Sequence, residues 1–146
     1  MRLLTTSIVL ALAAVAVARA QDTTSRPAPA APAPAPTASA LTVEQSVVAR
    51  AVVDRAPQDS GSAFAPDVGQ LVLFTKITGG AAGTTIHHVW FHGDEQVADV
   101  ELHVDGSPWR TWSKKTVPAD WTGPWHVEVR DAAGAILKRV DFTVGQ

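Results

Sequence analysis

From Thr84 to Leu102 the chain reads TTIHHVWFHGDEQVADVEL. An apolar, β-branched run is followed by Gly-Asp-Glu and then by a strictly alternating run. In Val97–Val104, Ala98, Val100, Leu102 and Val104 fall on one side and Asp99, Glu101 and His103 on the other. A period of two is the mark of a half-buried strand, because successive side chains of extended backbone point to opposite faces. This stretch therefore predicts two strands joined by a turn, and the neighbouring sequence repeats the pattern.

Val47–Asp54 is apolar and β-branched, and Arg55–Gly69 is loop-like, rich in Pro, Asp, Ser and Gly. Leu71–Thr78 and Thr85–His92 read as strands, with Gly79, Gly80 and Gly83 between them. Asp105-Gly106 is a hairpin signal. Trp109–Lys114 is a short aromatic strand, and Lys115–Thr122 is a loop containing Pro118. Trp125–Arg130 sets Trp125, Val127 and Val129 against His126, Glu128 and Arg130. Ala132-Ala133-Gly134 turns the chain, and Ile136–Val144 closes it with Val140, Phe142 and Val144 on one face. Seven short strands with no helical period suit an all-β, antiparallel, immunoglobulin-like β-sandwich of about seven strands over residues 43–146. A closed barrel is the alternative.

Residues 1–20 read as a secretory signal peptide. Arg2 gives the positive start, and Ile8–Val17 is an apolar run of about ten residues, short of the ~20 that span a bilayer. Ala18-Arg19-Ala20 is a cleavage site. An uncleaved anchor is the alternative, with residues 21–42 then a stalk. That segment is a Pro/Ala-rich disordered linker. Its core, residues 26–40, favours extended polyproline II at ~3.1 Å per residue, about 45 Å in all. The expected location is periplasmic or secreted, with no transmembrane span after cleavage. The chain has no cysteine, so disulfides and a lipid-modified Cys are excluded. Without residues 1–20 it carries ten basic against fourteen acidic residues, a net −4, which is no footprint for nucleic acid.

His88 and His92 share a face but stand about 13 Å apart along an extended strand, too far for one metal ion. The turn decides where that face points. An even-numbered loop sets His88 and Trp90 beside Asp99 and Glu101; an odd one sets them beside Val100 and Leu102, in the core. The core setting is expected, with His88 a hydrogen-bonded interior residue and Trp90 enclosed between sheets. Trp109–Ser113 places Arg110 and Trp112 on one face, close enough for the guanidinium to stack on an indole. That predicts Arg110 as a hub held by several acceptors, and either Trp109 or Trp112 in the core. Trp121, in a loop, is the expected exposed indole. No nucleophile elbow, zinc helix or phosphate loop is present, so no enzyme, cofactor or metal is expected.

Several stretches, Ile86–Trp90, Trp109–Ser113, Gly123–Val129, Asp131–Gly134 and Phe142–Val144, with Leu73–Thr75 upstream, resemble the bacterial domain-of-unknown-function family 2914. The resemblance runs from Val47 to Val144. It implies an envelope-associated or membrane-tethered module with no established activity. Positions matching His88, Trp90, Arg110, Trp112, Ser113, Gly123 and Trp125 recur in the family pattern, while His87 stands where an aromatic is commoner. The candidate binding residues are thus His88, Trp90, Arg110, Trp112, Ser113, Trp121 and Trp125. The expected partner is an envelope protein or a glycan, bound by a non-catalytic module. A carbohydrate-binding module using exposed Trp is the first alternative, and a His-based metal-binding protein the second.

Overall fold

A computed structural model describes residues 40–145. The predicted signal peptide and nearly all of the Pro/Ala linker lie outside the described residues. Nine strands form: β1 (Thr42–Val53), β2 (Ala56–Ser60), β3 (Ala63–Phe64), β4 (Gln70–Thr78), β5 (Thr84–His92), β6 (Glu95–Val104), β7 (Trp109–Thr116), β8 (Gly123–Asp131) and β9 (Ile136–Val144). They make two sheets, of order β2-β1-β4-β7 and β3-β9-β8-β5-β6. The fold is an all-β sandwich, antiparallel but for the β3–β9 pair, and the two separate sheets set the barrel aside. No helix among the described residues is long and apolar enough to cross a membrane.

The seven strands read from periodicity are all present, and all but β9 extend past the predicted bounds at one end or both. The other two, β2 and β3, lie in the stretch read as a loop. Their sequences, APQDS and AF, carry no apolar alternation, because both pair at sheet edges with little to bury. β1 and β2 join through Asp54 and Arg55, at φ +50° and +59°. Left-handed backbone at both central residues is the type I′ signature, normally filled by Asn or Gly; other residues there are strained by about 1 kcal/mol or more. A second correction concerns Asp105-Gly106. β6 and β7 do not pair, so the chain crosses there from one sheet to the other instead of forming a hairpin.

The register of the β5–β6 hairpin has an unexpected cause. Its turn is the two-residue Gly93-Asp94, between His92 and Glu95. An even loop alone would send His88 and Trp90 to the side of Asp99 and Glu101. A bulge beyond the Phe91–Gln96 pair inserts one residue, Val97, and resets the pairing to Trp90–Ala98, His88–Val100 and Ile86–Leu102. The expected inward face is reached by a bulge rather than by an odd turn.

Inward from β4 point Leu71, Leu73, Thr75 and Ile77; from β8 Trp125, Val127 and Val129; from β9 Phe142 and Val144. Trp90 is fully buried among them, edge-on to Phe142 at 6.3 Å between ring centres. Trp109 packs against this core, whereas Trp112, one position out of phase with the inward Ser113, takes the opposite face.

Truncating Trp90 to Ala removes the largest enclosed side chain, at a cost of about 3–5 kcal/mol, a large share of the ~5–15 kcal/mol that holds a domain of this size. Trp121 is half-buried and stacks on His92 at 5.4 Å, so the exposed loop indole expected for it is corrected. Urea melts are expected to show Trp90→Ala near collapse and Trp121→Ala weakened by about 1 kcal/mol, the scale of one aromatic pair.

Candidate functional site

The seven candidate residues separate into three groups. The first is a buried hydrogen-bond chain between the sheets. Ser113 on β7 and Thr75 on β4 belong to one sheet, His88 and Trp90 on β5 to the other. Trp90 Nε1–H donates to Ser113 Oγ at 3.1 Å. His88 Nδ1 lies 2.9 Å from the same oxygen, and His88 Nε2 lies 3.3 Å from Thr75 Oγ1. Thr75 donates its hydroxyl proton to the Thr111 carbonyl at 3.2 Å.

One arrangement of protons satisfies every member. Ser113 has a single hydrogen to give and already accepts from Trp90, so it donates to His88 Nδ1. His88 is then the neutral Nε2–H tautomer and donates to Thr75, whose own hydrogen is committed to Thr111. Burial alone pushes the His88 pKa down from 6.5 to about 3, because no carboxylate stands by to favour the imidazolium. Across from Thr75, Ser46 Oγ is the one buried side-chain oxygen among the described residues without a partner. The Ser113–His88 pair has the spacing of a nucleophile and its base. Yet His88 is fully enclosed and Ser113 nearly so, and no acid orients the imidazole.

The second group closes one end of the sandwich. Trp125 is buried; its Nε1–H donates to the Trp121 carbonyl at 3.0 Å. His92 lies against both indoles, 5.4 Å from Trp121 and 4.7 Å from Trp125, and donates Nε2–H to the Thr122 carbonyl. Lys115 Nζ caps Trp121 at 5.8 Å. These contacts hold the β7–β8 loop against the end of β5 and leave little indole free.

The third group is the outer face of the four-stranded sheet. Cross-strand pairing lines up Val47, Phe74 and Trp112 in one row and Gln45, Lys76 and Arg110 in the next. Arg110 is exposed and has no hydrogen bond or ion pair among the described residues, which corrects the expected hub. The alternation that turns Ser113 inward also turns Arg110 and Trp112 outward, so the guanidinium never meets Trp90. Arg55, in the strained β1–β2 turn, is also exposed and unpaired among the described residues. The two arginines line both of two adjoining recesses, of about 310 and 510 Å³. Pro108, Trp109 and Trp112 complete the smaller, and Phe74 floors the larger.

The opposite outer face, on the five-stranded sheet, is charged, and each of its arginines is paired. His87 meets Asp99 at 2.8 Å, Arg139 meets Asp141 at 2.7 Å, and Arg130 grips Glu128. His126 stacks on Phe91 at 4.4 Å. Burial first, then the Arg139 guanidinium, holds His126 below the ordinary imidazole range, against the pull of Glu128, Asp141 and Asp94. The Arg139 hydrogen bond likewise draws the Asp141 carboxyl below its usual range. Among the described residues no three His, Asp or Glu side chains converge as metal ligands.

Two members escaped the sequence reading. Thr75 had a signal, being a polar residue at an inward position between Leu73 and Ile77. Arg55 had none, since only the fold brings the β1–β2 turn beside β7.

The fold and these surfaces define an antiparallel β-sandwich domain. Residues 83–144, which hold β5 to β9, match the family described as "Protein of unknown function (DUF2914)". No curated protein matches the chain. Among solved structures, a crystal structure of an engineered protein is 18% identical over 69% of this chain, with a TM-score of 0.36; the alignment spans 20% of that protein's length.

The titration of His88 is testable. Its folded pKa lies below its unfolded value of 6.5, so the unfolded chain binds the extra proton between about pH 6.5 and 3, and stability falls as pH drops through that window. From pH 7 to pH 5 this one group is expected to cost about 2 kcal/mol. His88→Gln, which does not titrate, is expected to lose that portion of the pH dependence in urea melts at the two pH values.

Proposed function

We propose that the chain is an exported, non-catalytic module of the bacterial cell envelope that binds a partner or ligand through the outer face of its four-stranded sheet. The observation that carries this reading is the contrast between the two outer faces. On the five-stranded sheet both outward arginines, Arg130 and Arg139, are held by carboxylates, and on the four-stranded sheet Lys76 is held by Glu44. On the four-stranded sheet, Arg55 and Arg110 are unpaired among the described residues and share recesses with Trp112 and Phe74. Unmatched cations beside aromatic rings suit recognition, because Trp and Arg contribute most per residue to binding.

The placement of the other candidates supports a non-catalytic reading. His88, Trp90, Ser113 and Trp125 are interior, and the one Ser–His pair among the described residues is closed to a substrate. The apolar start, the A-x-A site and the Pro/Ala linker support export with the domain held off on a spacer. Glycan binding is favoured over metal binding by the half-exposed Trp112 beside two guanidinium groups.

Co-sedimentation with isolated bacterial envelopes tests the reading. Arg110→Glu alters an exposed, unpaired side chain, so its melting curve is expected to match the parent within about 0.5 kcal/mol. Its envelope binding at low salt is expected to fall at least tenfold. Undiminished sedimentation of that variant would contradict a role for this face.

A further inference from the structure

We infer that the two recesses form one binding site for an acidic saccharide, with a carboxylate held between Arg55 and Arg110 and a sugar ring laid on Trp112. The inference rests on the binding role proposed above and names its ligand class.

Three observations lead there. First, Arg55 and Arg110 line the same recesses with no acceptor of their own among the described residues. Two like charges facing one cavity repel, and an anion between them removes the repulsion. Each guanidinium is a planar fork that meets a carboxylate through two parallel hydrogen bonds. Asp54, at the rim of the larger recess, is the single acidic residue of the lining, so the site stays net positive on a chain that is acidic overall.

Second, Arg55 sits in left-handed backbone next to Asp54, which is also left-handed. Glycine would relieve the strain at Arg55. Strained residues persist where the side chain or its aim is needed, and clamps around ligands are one such place. Here the strain points the β1–β2 turn at the face that carries Arg110.

Third, the cations flank an aromatic surface. Trp112, half-exposed and seated across from the covered Phe74, gives one indole face beside the arginines. A bare inorganic anion has no use for that face. A ring with an apolar C–H face and an acidic substituent uses both parts, and a uronic acid is such a ring.

Isothermal titration with trigalacturonic acid, and with the same trisaccharide after reduction of its carboxyls to alcohols, tests this on the full chain. The acidic trisaccharide is expected to bind, the reduced one at least tenfold more weakly, and affinity is expected to fall as salt rises. Arg110→Ala is expected to lose tenfold or more. Arg55→Gly is expected to lose a similar factor while melting no lower than the parent, which separates ligand loss from misfolding. Equal binding of the two trisaccharides, or inorganic phosphate binding as tightly as the acid, would overturn the assignment. No binding of the acidic trisaccharide, with envelope sedimentation still dependent on Arg110, would overturn the saccharide while leaving the binding face. Sedimentation indifferent to Arg110 would remove the broader reading itself.

Discussion

The hydroxyl of Ser113 is the atom on which the two sheets are aligned. It accepts from Trp90 and gives its proton to His88, and both partners come from the facing sheet. A buried hydroxyl or imidazole without a partner costs about 1–3 kcal/mol, so β5 and β7 have one favourable register and every slip leaves several groups unsatisfied. Apolar packing of Val, Leu and Trp makes the sandwich stable; these directional bonds make it single-valued. The Val97 bulge belongs to the same constraint. Without it the Gly93-Asp94 turn would set His88 and Trp90 on one face with Asp99 and Glu101, so that the sandwich would have either to bury two carboxylates or to expose the indole.

The same constraint divides the W-R-T-W-S segment. Ser113 must face inward, so Thr111 and Trp109 do too, and Arg110 and Trp112 are forced onto the outer face. Residues adjacent in sequence thereby enter different chemistry. The inward ones pack against the core, with Trp109 also edging the smaller recess, and the outward ones join Arg55 from a distant turn. The family match over residues 83–144 includes β7 and its Arg110 and Trp112 but ends short of β1 and β2, so Arg55 is contributed from outside the matched segment.

Much of this was legible in the sequence because sheets obey parity. The alternations in Val97–Val104, Trp125–Arg130 and Ile136–Val144 assign their faces directly, whereas the interior positions of Trp90 and His88 follow only from the expectation of an enclosed central Trp, because the turn is even and a bulge restores the register. Parity is local, however, and the errors lie where a long-range term decides. Asp105-Gly106 has the composition of a hairpin turn, but nothing local tells a return within one sheet from a crossing to the other. β2 and β3 are held by backbone pairing at sheet edges, to which side-chain pattern is blind. Standing between two Trp, Arg110 has the sequence setting of an enclosed residue; in the fold one Trp packs inward and the other lies outward beside it. The loop position of Trp121 suggests exposure, but His92, paired opposite Trp125 at the end of β5, supplies a stacking surface that the loop sequence does not contain.

The central claim is that His88 is an inert, neutral interior donor, and not a reactive base paired with Ser113. Nitrogen-15 NMR of the imidazole tests it most directly. The hydrogen-bond chain predicts a proton on Nε2, none on Nδ1, and no titration of His88 between pH 7 and pH 5, consistent with a pKa of about 3. A proton on Nδ1, or a midpoint near the ordinary imidazole value, would contradict it. It would mean that water reaches the Ser113–His88 pair and that the interior, rather than the outer face, is where the chemistry of this chain should be sought.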